Sequence, residues 1–242
     1  MSNRTQVAPE APPSARAMGA IIVLSAVLAG LYLPVLHMGW LRLAAVAKVG
    51  SIVLLLAYAE RPTTPRSLLA GLGLSAVGDL LLAVIGIAPV PPGMLFLAAL
   101  FSFLLAHLCY IRLFSTHTER LSRASFRRVG MALVGAAVLL LLSVLWPTLG
   151  AMRWPVVVYA VVLAAMAISA QQSKFPAMTA IGALLFVASD SMLGYPSFHR
   201  VTRFGYEAPM LVWLSYYIAQ VLISTGVARW CEQQGTMVQT GN

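Results

Sequence analysis

Residues 71–84 read GLGLSAVGDLLLAV: thirteen small or apolar positions interrupted by one ionisable side chain, Asp79. A second stretch, residues 182–194, reads GALLFVASDSMLG and sets Asp190 in the same surroundings. These are the only two aspartates in the chain. The runs around them extend over about Leu68 to Ala88 and Ala177 to Tyr195. About 20 mostly apolar residues are what a helix needs to cross the hydrocarbon of a bilayer. A carboxylate at that depth costs at least about 2.5 to 3.5 kcal/mol on insertion scales, so such a residue normally faces a cavity and has a task.

Composition extends this reading to the whole chain. Of 242 residues, 60% are hydrophobic and 10% are charged, with a mean hydropathy of +0.86. Soluble domains carry roughly 25% charge, so an ordinary soluble enzyme is excluded and an all-α polytopic membrane protein is expected. Six further runs resemble the first two, at about Met18–Leu36, Leu41–Tyr58, Met94–Phe114, Val129–Leu145, Val156–Ala170 and Met210–Val227, giving about eight transmembrane helices. Pro62, Pro65, Pro89, Pro91, Pro92, Pro147, Pro155, Pro176 and Pro209 punctuate their boundaries. The expected organisation is a tail at 1–17, one membrane domain at 18–227 and a tail at 228–242. The net charge of +9 is scattered between apolar runs without a basic stripe, so nucleic acid is not an expected partner. Eleven Lys and Arg fall on the side of the two tails and the even-numbered loops, against four on the other. Cytoplasmic loops carry this excess, so both termini are expected in the cytoplasm, with the protein in a bacterial inner membrane.

An offset of 111 residues aligns Gly71 with Gly182, Leu74 with Leu185, Asp79 with Asp190 and Leu82 with Leu193. The aligned segments are the third and seventh spans, as two parallel four-helix halves would require. At 1.5 Å per residue, Asp79 and Asp190 then lie roughly 17 and 20 Å from the cytoplasmic ends of their spans, near mid-bilayer.

Other polar groups accompany them. His107 and Tyr110 share a face of the fourth span, and Tyr216, Gln220 and Ser224 recur at four-residue spacing in the eighth beside Tyr217. A lone His such as His107 is more often a helix-to-helix hydrogen bonder than a catalyst, and Lys48 reads evenly as snorkelling to the interface or pairing with an aspartate. Ser75 and Ser189 are placed to hydrogen-bond a neighbouring carboxylate. Gly71, Gly73 and Gly78 read as close helix packing. The cluster Arg120, Arg123, Arg127 and Arg128 reads as a topology signal in contact with anionic lipid headgroups. Cys109 and Cys231 form neither a disulfide framework nor a zinc spacing, and no P-loop, HExxH, GxSxG or CxxC motif occurs. No metal or cofactor is expected.

The runs GLGLSAVGDLLL (71–82), FLLAHLCYIRLF (103–114), GALLFVASDSML (182–193) and LVWLSYYIAQVLI (211–223) resemble, in order, the signature segments of the YhhN-like lysoplasmalogenase family of integral membrane hydrolases. Two departures stand out: Leu74 where the family often has Phe, and Val49 after Lys48 where it has Pro. The resemblance implies cleavage of the vinyl ether of a lysoplasmalogen to a fatty aldehyde and glycerophosphoethanolamine or glycerophosphocholine. On that reading Asp79 and Asp190 are the catalytic carboxyls, while Lys48, His107, Tyr110, Ser189, Tyr216, Tyr217 and Gln220 bind or position the lysophospholipid drawn from the bilayer. A vinyl ether needs a proton delivered to carbon and a cation stabilised, which one protonated and one ionised carboxyl can do. The competing expectation is a proton-coupled small-molecule or lipid transporter using the same aspartates. The oligomeric state is not legible in the sequence.

Overall fold

A computed structural model describes residues 15–118, 125–199 and 207–240. It contains eight α-helices: α1 (Ala15–His37), α2 (Leu41–Ala59), α3 (Arg66–Ala83), α4 (Pro92–Ser115), α5 (Ser125–Leu145), α6 (Arg153–Gln171), α7 (Ala177–His199) and α8 (Glu207–Thr240). No strand is present among the described residues; a lone β-bridge joins Thr118 to Ser173. Seven of the helices are long and apolar enough to cross a membrane, and in α7 the apolar stretch is the shorter Ala177–Leu193. The all-α polytopic membrane architecture expected from composition is therefore present. In the absence of backbone hydrogen-bond partners in lipid, helices that satisfy their own ladders are the economical way to span it.

Proline and glycine set the helix ends. Pro91 and Pro92 open α4, where a missing N–H costs nothing. Gly39, Gly86 and Gly150 take positive φ values of 78°, 83° and 49° in the connections α1–α2, α3–α4 and α5–α6, conformations that disfavour any side chain. The turn at Gly86 is why α3 stops at Ala83 instead of continuing to Ala88 as the apolar run suggests. At the far end, α8 continues well past the expected Val227 to Thr240.

The opposite end of the bundle is tied together by polar contacts. The Lys174 amide donates to the His117 carbonyl at 2.8 Å, and Arg61 pairs with Glu232. Arg127 corrects an expectation. It is buried, not spread on lipid headgroups, and its guanidinium donates to the carbonyls of Gln171 (3.1 Å), Ser173 (2.5 Å) and Phe175 (2.9 Å). It thereby satisfies carbonyls that the end of α6 leaves without helical partners. Arg120 and Arg123 lie outside the described residues.

Packing follows the repeat seen in the sequence. Within the halves, α3 lies along α4 and α7 along α8, as the most extensive helix pairs together with α1–α2. Between them, α2 meets α8 and α6 meets α4, so the second helix of each half touches the fourth of the other. Gly71 and Gly182 permit the two intimate pairs. A Cβ on Gly71 would lie 2.6 Å from the Tyr110 ring of α4, and one on Gly182 would lie 2.9 Å from the Ala219 carbonyl of α8. Gly78 has the same role against Phe103, at 2.7 Å, whereas Gly73 faces open space and takes no part.

Candidate active site

Asp79 is buried among α2, α3 and α8. Its Oδ1 lies 3.0 Å from Lys48 Nζ, and its Oδ2 accepts a 2.6 Å hydrogen bond from the Tyr216 hydroxyl. The ammonium of Lys48 also faces the rings of Trp213 (5.3 Å) and Tyr32 (5.7 Å), whose electron-rich faces attract a cation where water cannot. Lys48 therefore pairs with the carboxylate and does not snorkel. The polar chain continues through Gln220. Its amide donates to the Tyr216 hydroxyl at 3.2 Å, and its Oε1 accepts from the Tyr110 hydroxyl at 2.8 Å. Each of these side chains is buried, and a buried polar chain that is satisfied throughout fixes its members in one arrangement.

Asp190 has a different setting among α4, α6 and α7. The Tyr159 hydroxyl donates to its Oδ2 at 2.5 Å, and His107 Nε2 stands 3.7 Å from the same oxygen. His107 Nδ1 is hydrogen-bonded to the Phe103 carbonyl of its own helix, so Nδ1 carries the proton and a neutral ring turns an acceptor nitrogen toward Asp190. That Nε2 has no hydrogen-bond partner. The imidazole is fixed edge-on against Phe186 (4.9 Å) and Tyr159 (5.4 Å). Phe186 also packs on Tyr216, at 5.3 Å, so one ring separates the two carboxyl surroundings.

Access separates the two. The Asp79 side chain is 2% exposed and that of Asp190 11%. Asp190 opens into a cavity between α4, α5, α6 and α7, with about 690 Å³ of empty volume counting the part open to the outside. The room it leaves for water-sized molecules is about 60 Å³, so it is a narrow cleft, tighter than the roughly 300 to 1,000 Å³ of small-ligand pockets. Its walls are aliphatic and aromatic; Asp190, Ser191 and Tyr159 are the polar residues among them. Asp79 is not among the residues that line it.

Of the residues expected to act together, Lys48, Asp79, Tyr216, Gln220 and Tyr110 form one connected group, and His107 joins Asp190. Tyr217 turns away to Ser25, at 2.8 Å. Ser189 donates to the Val212 carbonyl of α8 at 2.9 Å and not to a carboxylate, and Ser75 makes no hydrogen bond to Asp79. Sequence reasoning missed Tyr159. A signal was available: Tyr159 stands 111 residues after Lys48, the offset that relates Asp190 to Asp79, so each aspartate is bonded by the residue 31 positions before it. Among the described residues no three His, Cys, Asp or Glu gather into a set that could hold a metal ion.

Two relatives, from Mycobacterium bovis and Mycobacterium tuberculosis, both named lysoplasmalogenase, are 37% identical to the chain over 167 residues. The alignment covers 66% of this chain, which spans only 60% of the length of either relative. No solved structure matches. The YhhN family profile matches residues 43–227, a region that includes both aspartates, Lys48, His107, Tyr110, Tyr159, Tyr216, Gln220 and the whole cavity wall, and the chain belongs to the YhhN family.

Proposed function

We propose that this protein hydrolyses the vinyl ether of a lysoplasmalogen, releasing a fatty aldehyde and glycerophosphoethanolamine or glycerophosphocholine, with Asp190 as the proton-transfer group. One observation carries the assignment: Asp190 is a carboxyl at the wall of an otherwise apolar cavity. The proton that starts vinyl ether hydrolysis goes to a carbon of the hydrocarbon chain, so its donor belongs in the tail pocket and not among headgroup ligands. The relatives named lysoplasmalogenase support the reaction class.

The steps balance on these residues. Asp190 gives its proton to the alkene carbon one removed from the ether carbon, the π electrons form the new C–H bond, and an oxocarbenium ion results. The Asp190 carboxylate then takes a proton from water as its oxygen adds to the ether carbon, which restores the acid and gives a hemiacetal. The hemiacetal breaks its bond to the glycerol oxygen, its hydroxyl proton moves to that oxygen, and the aldehyde leaves. Tyr159 orients the carboxyl, and His107 offers an acceptor nitrogen beside the path of the water. Asp79, fixed by Lys48 and Tyr216, contributes a preorganised charge distribution near the cation and does not touch the substrate. The reading puts both termini in the cytoplasm of a plasma-membrane protein, which the charge of the side that carries Arg61, Arg112 and Lys174 supports.

Purified protein in detergent micelles, given lysoplasmalogen, tests the reading. No gradient exists there, so aldehyde release identifies a hydrolase. Folded protein that releases none, but moves protons or lipid across reconstituted vesicles, would instead identify a transporter.

A further inference from the structure

The cavity beside Asp190 is short. On α4 its lining runs from Phe96 to Phe103, on α5 from Val138 to Leu145 and on α6 from Val156 to Leu163. Each spans eight residues, seven rises of 1.5 Å, a depth of about 10 Å. A chain of about sixteen carbons, with bonds of roughly 1.5 Å, extends for roughly 20 Å and cannot be enclosed there in extended form. The remainder needs an exit.

A second groove supplies one. It follows the outer edge of the α4–α6 contact, walled by Phe101 and Leu104 on one side and Trp154 and Val158 on the other. Phe101, Val158 and Trp154 are exposed on the apolar flank of the bundle, at 61%, 51% and 73%. Leu100 and Tyr159 line both the groove and the cavity, so these two side chains form the partition between them. Tyr159 is also the residue that bonds Asp190.

We propose that the α4–α6 seam is the lateral portal of the Asp190 cavity, through which a single alkenyl chain threads between Leu100 and Tyr159. The first carbons of the chain lie at Asp190 and its far end lies in the outer groove, against the bilayer. This rests on the hydrolase reading and extends it in two ways. The passage is bounded by two side chains and takes one hydrocarbon chain, so a lipid with a second chain on the same glycerol is refused. Tyr159 couples occupancy of the portal to the orientation of the acid, because a chain that displaces its ring also moves the hydroxyl on Asp190.

The test uses wild-type protein in nanodiscs and an alkyl-ether lysophosphoethanolamine, which has no vinyl ether to cleave, carrying a diazirine near its terminal methyl. Irradiation is expected to place adducts on Phe101, Leu104, Trp154 or Val158 that excess unlabelled alkyl-ether lysolipid removes. A mid-chain diazirine should move the adducts to the cavity wall, at Leu141 or Leu163. Adducts confined to other helices, or unaffected by competitor, overturn the portal. Seam adducts from a protein that releases no aldehyde overturn the hydrolase and leave the portal standing; aldehyde release with adducts elsewhere does the reverse. In Leu100→Trp, which narrows the passage, KM for a long-chain lysoplasmalogen should rise at least tenfold more than KM for an eight-carbon analogue. An unchanged long-chain KM overturns the gate.

Discussion

Asp79 and Asp190 occupy equivalent places in the two halves of the chain, and each is bonded by the residue 31 positions before it, whose identity differs. Residue 31 before the first is Lys48; residue 31 before the second is Tyr159. In the first half the carboxyl meets a full positive charge and a buried phenol, and the site is closed. In the second it meets a phenol and an imidazole, and the site opens on an apolar cavity. A repeated scaffold has thus produced one enclosed carboxyl paired with a cation and one accessible carboxyl bonded by a neutral donor. On the proposed reading, that exchange leaves Asp190 as the carboxyl that transfers the proton.

The sharpest way to break this comparison is to neutralise each aspartate. Asp190→Asn should lower kcat for aldehyde release by about 10²- to 10⁴-fold, the usual contribution of a general acid, with the thermal melt close to wild type. Near-wild-type turnover would return the proton-transfer role to Asp79. Asp79→Asn should act first on stability, by about 3 to 5 kcal/mol, because it leaves the Lys48 ammonium buried without its counter-charge. The double variant Lys48→Met/Asp79→Asn should regain most of that loss in a detergent melt, since two neutral groups replace a pair. Additive losses would show that the ion pair is not what holds this half together.

Smaller effects sharpen the contrast further. Tyr159→Phe removes one hydrogen bond to Asp190 and should cost about tenfold in kcat, near 1.4 kcal/mol, with little change in melting temperature. Tyr217→Phe loses only the bond to Ser25. It should lower stability by about 0.5 to 1.5 kcal/mol and leave turnover within about twofold, as measured by a melt and a single saturating assay.

Much of this was legible in the sequence. The apolar runs located the helices, because in lipid length and hydropathy are nearly the whole constraint. The 111-residue offset located the repeat, and the two lone aspartates marked the candidate site. The limits are equally physical. Where nearly every face of a helix is apolar, periodicity carries no rotation, so sequence did not show that Tyr217 turns to Ser25 or that Ser189 bonds a backbone carbonyl. Tyr159 went unnoticed because a tyrosine in a span is unremarkable until the register of the repeat is applied to Lys48. The closure of Asp79 and the opening of Asp190 depend on side-chain packing from four other helices, which no local pattern encodes.

The most direct test is hydrolysis in heavy water, with the aldehyde reduced to its alcohol as it forms and examined by mass spectrometry, for wild type beside Asp190→Asn. Proton transfer from Asp190 to the alkene carbon predicts one deuterium on the carbon next to the former carbonyl from the wild type, and almost no product from the variant. Product without that deuterium, or labelled product formed at the wild-type rate by Asp190→Asn, would contradict the account.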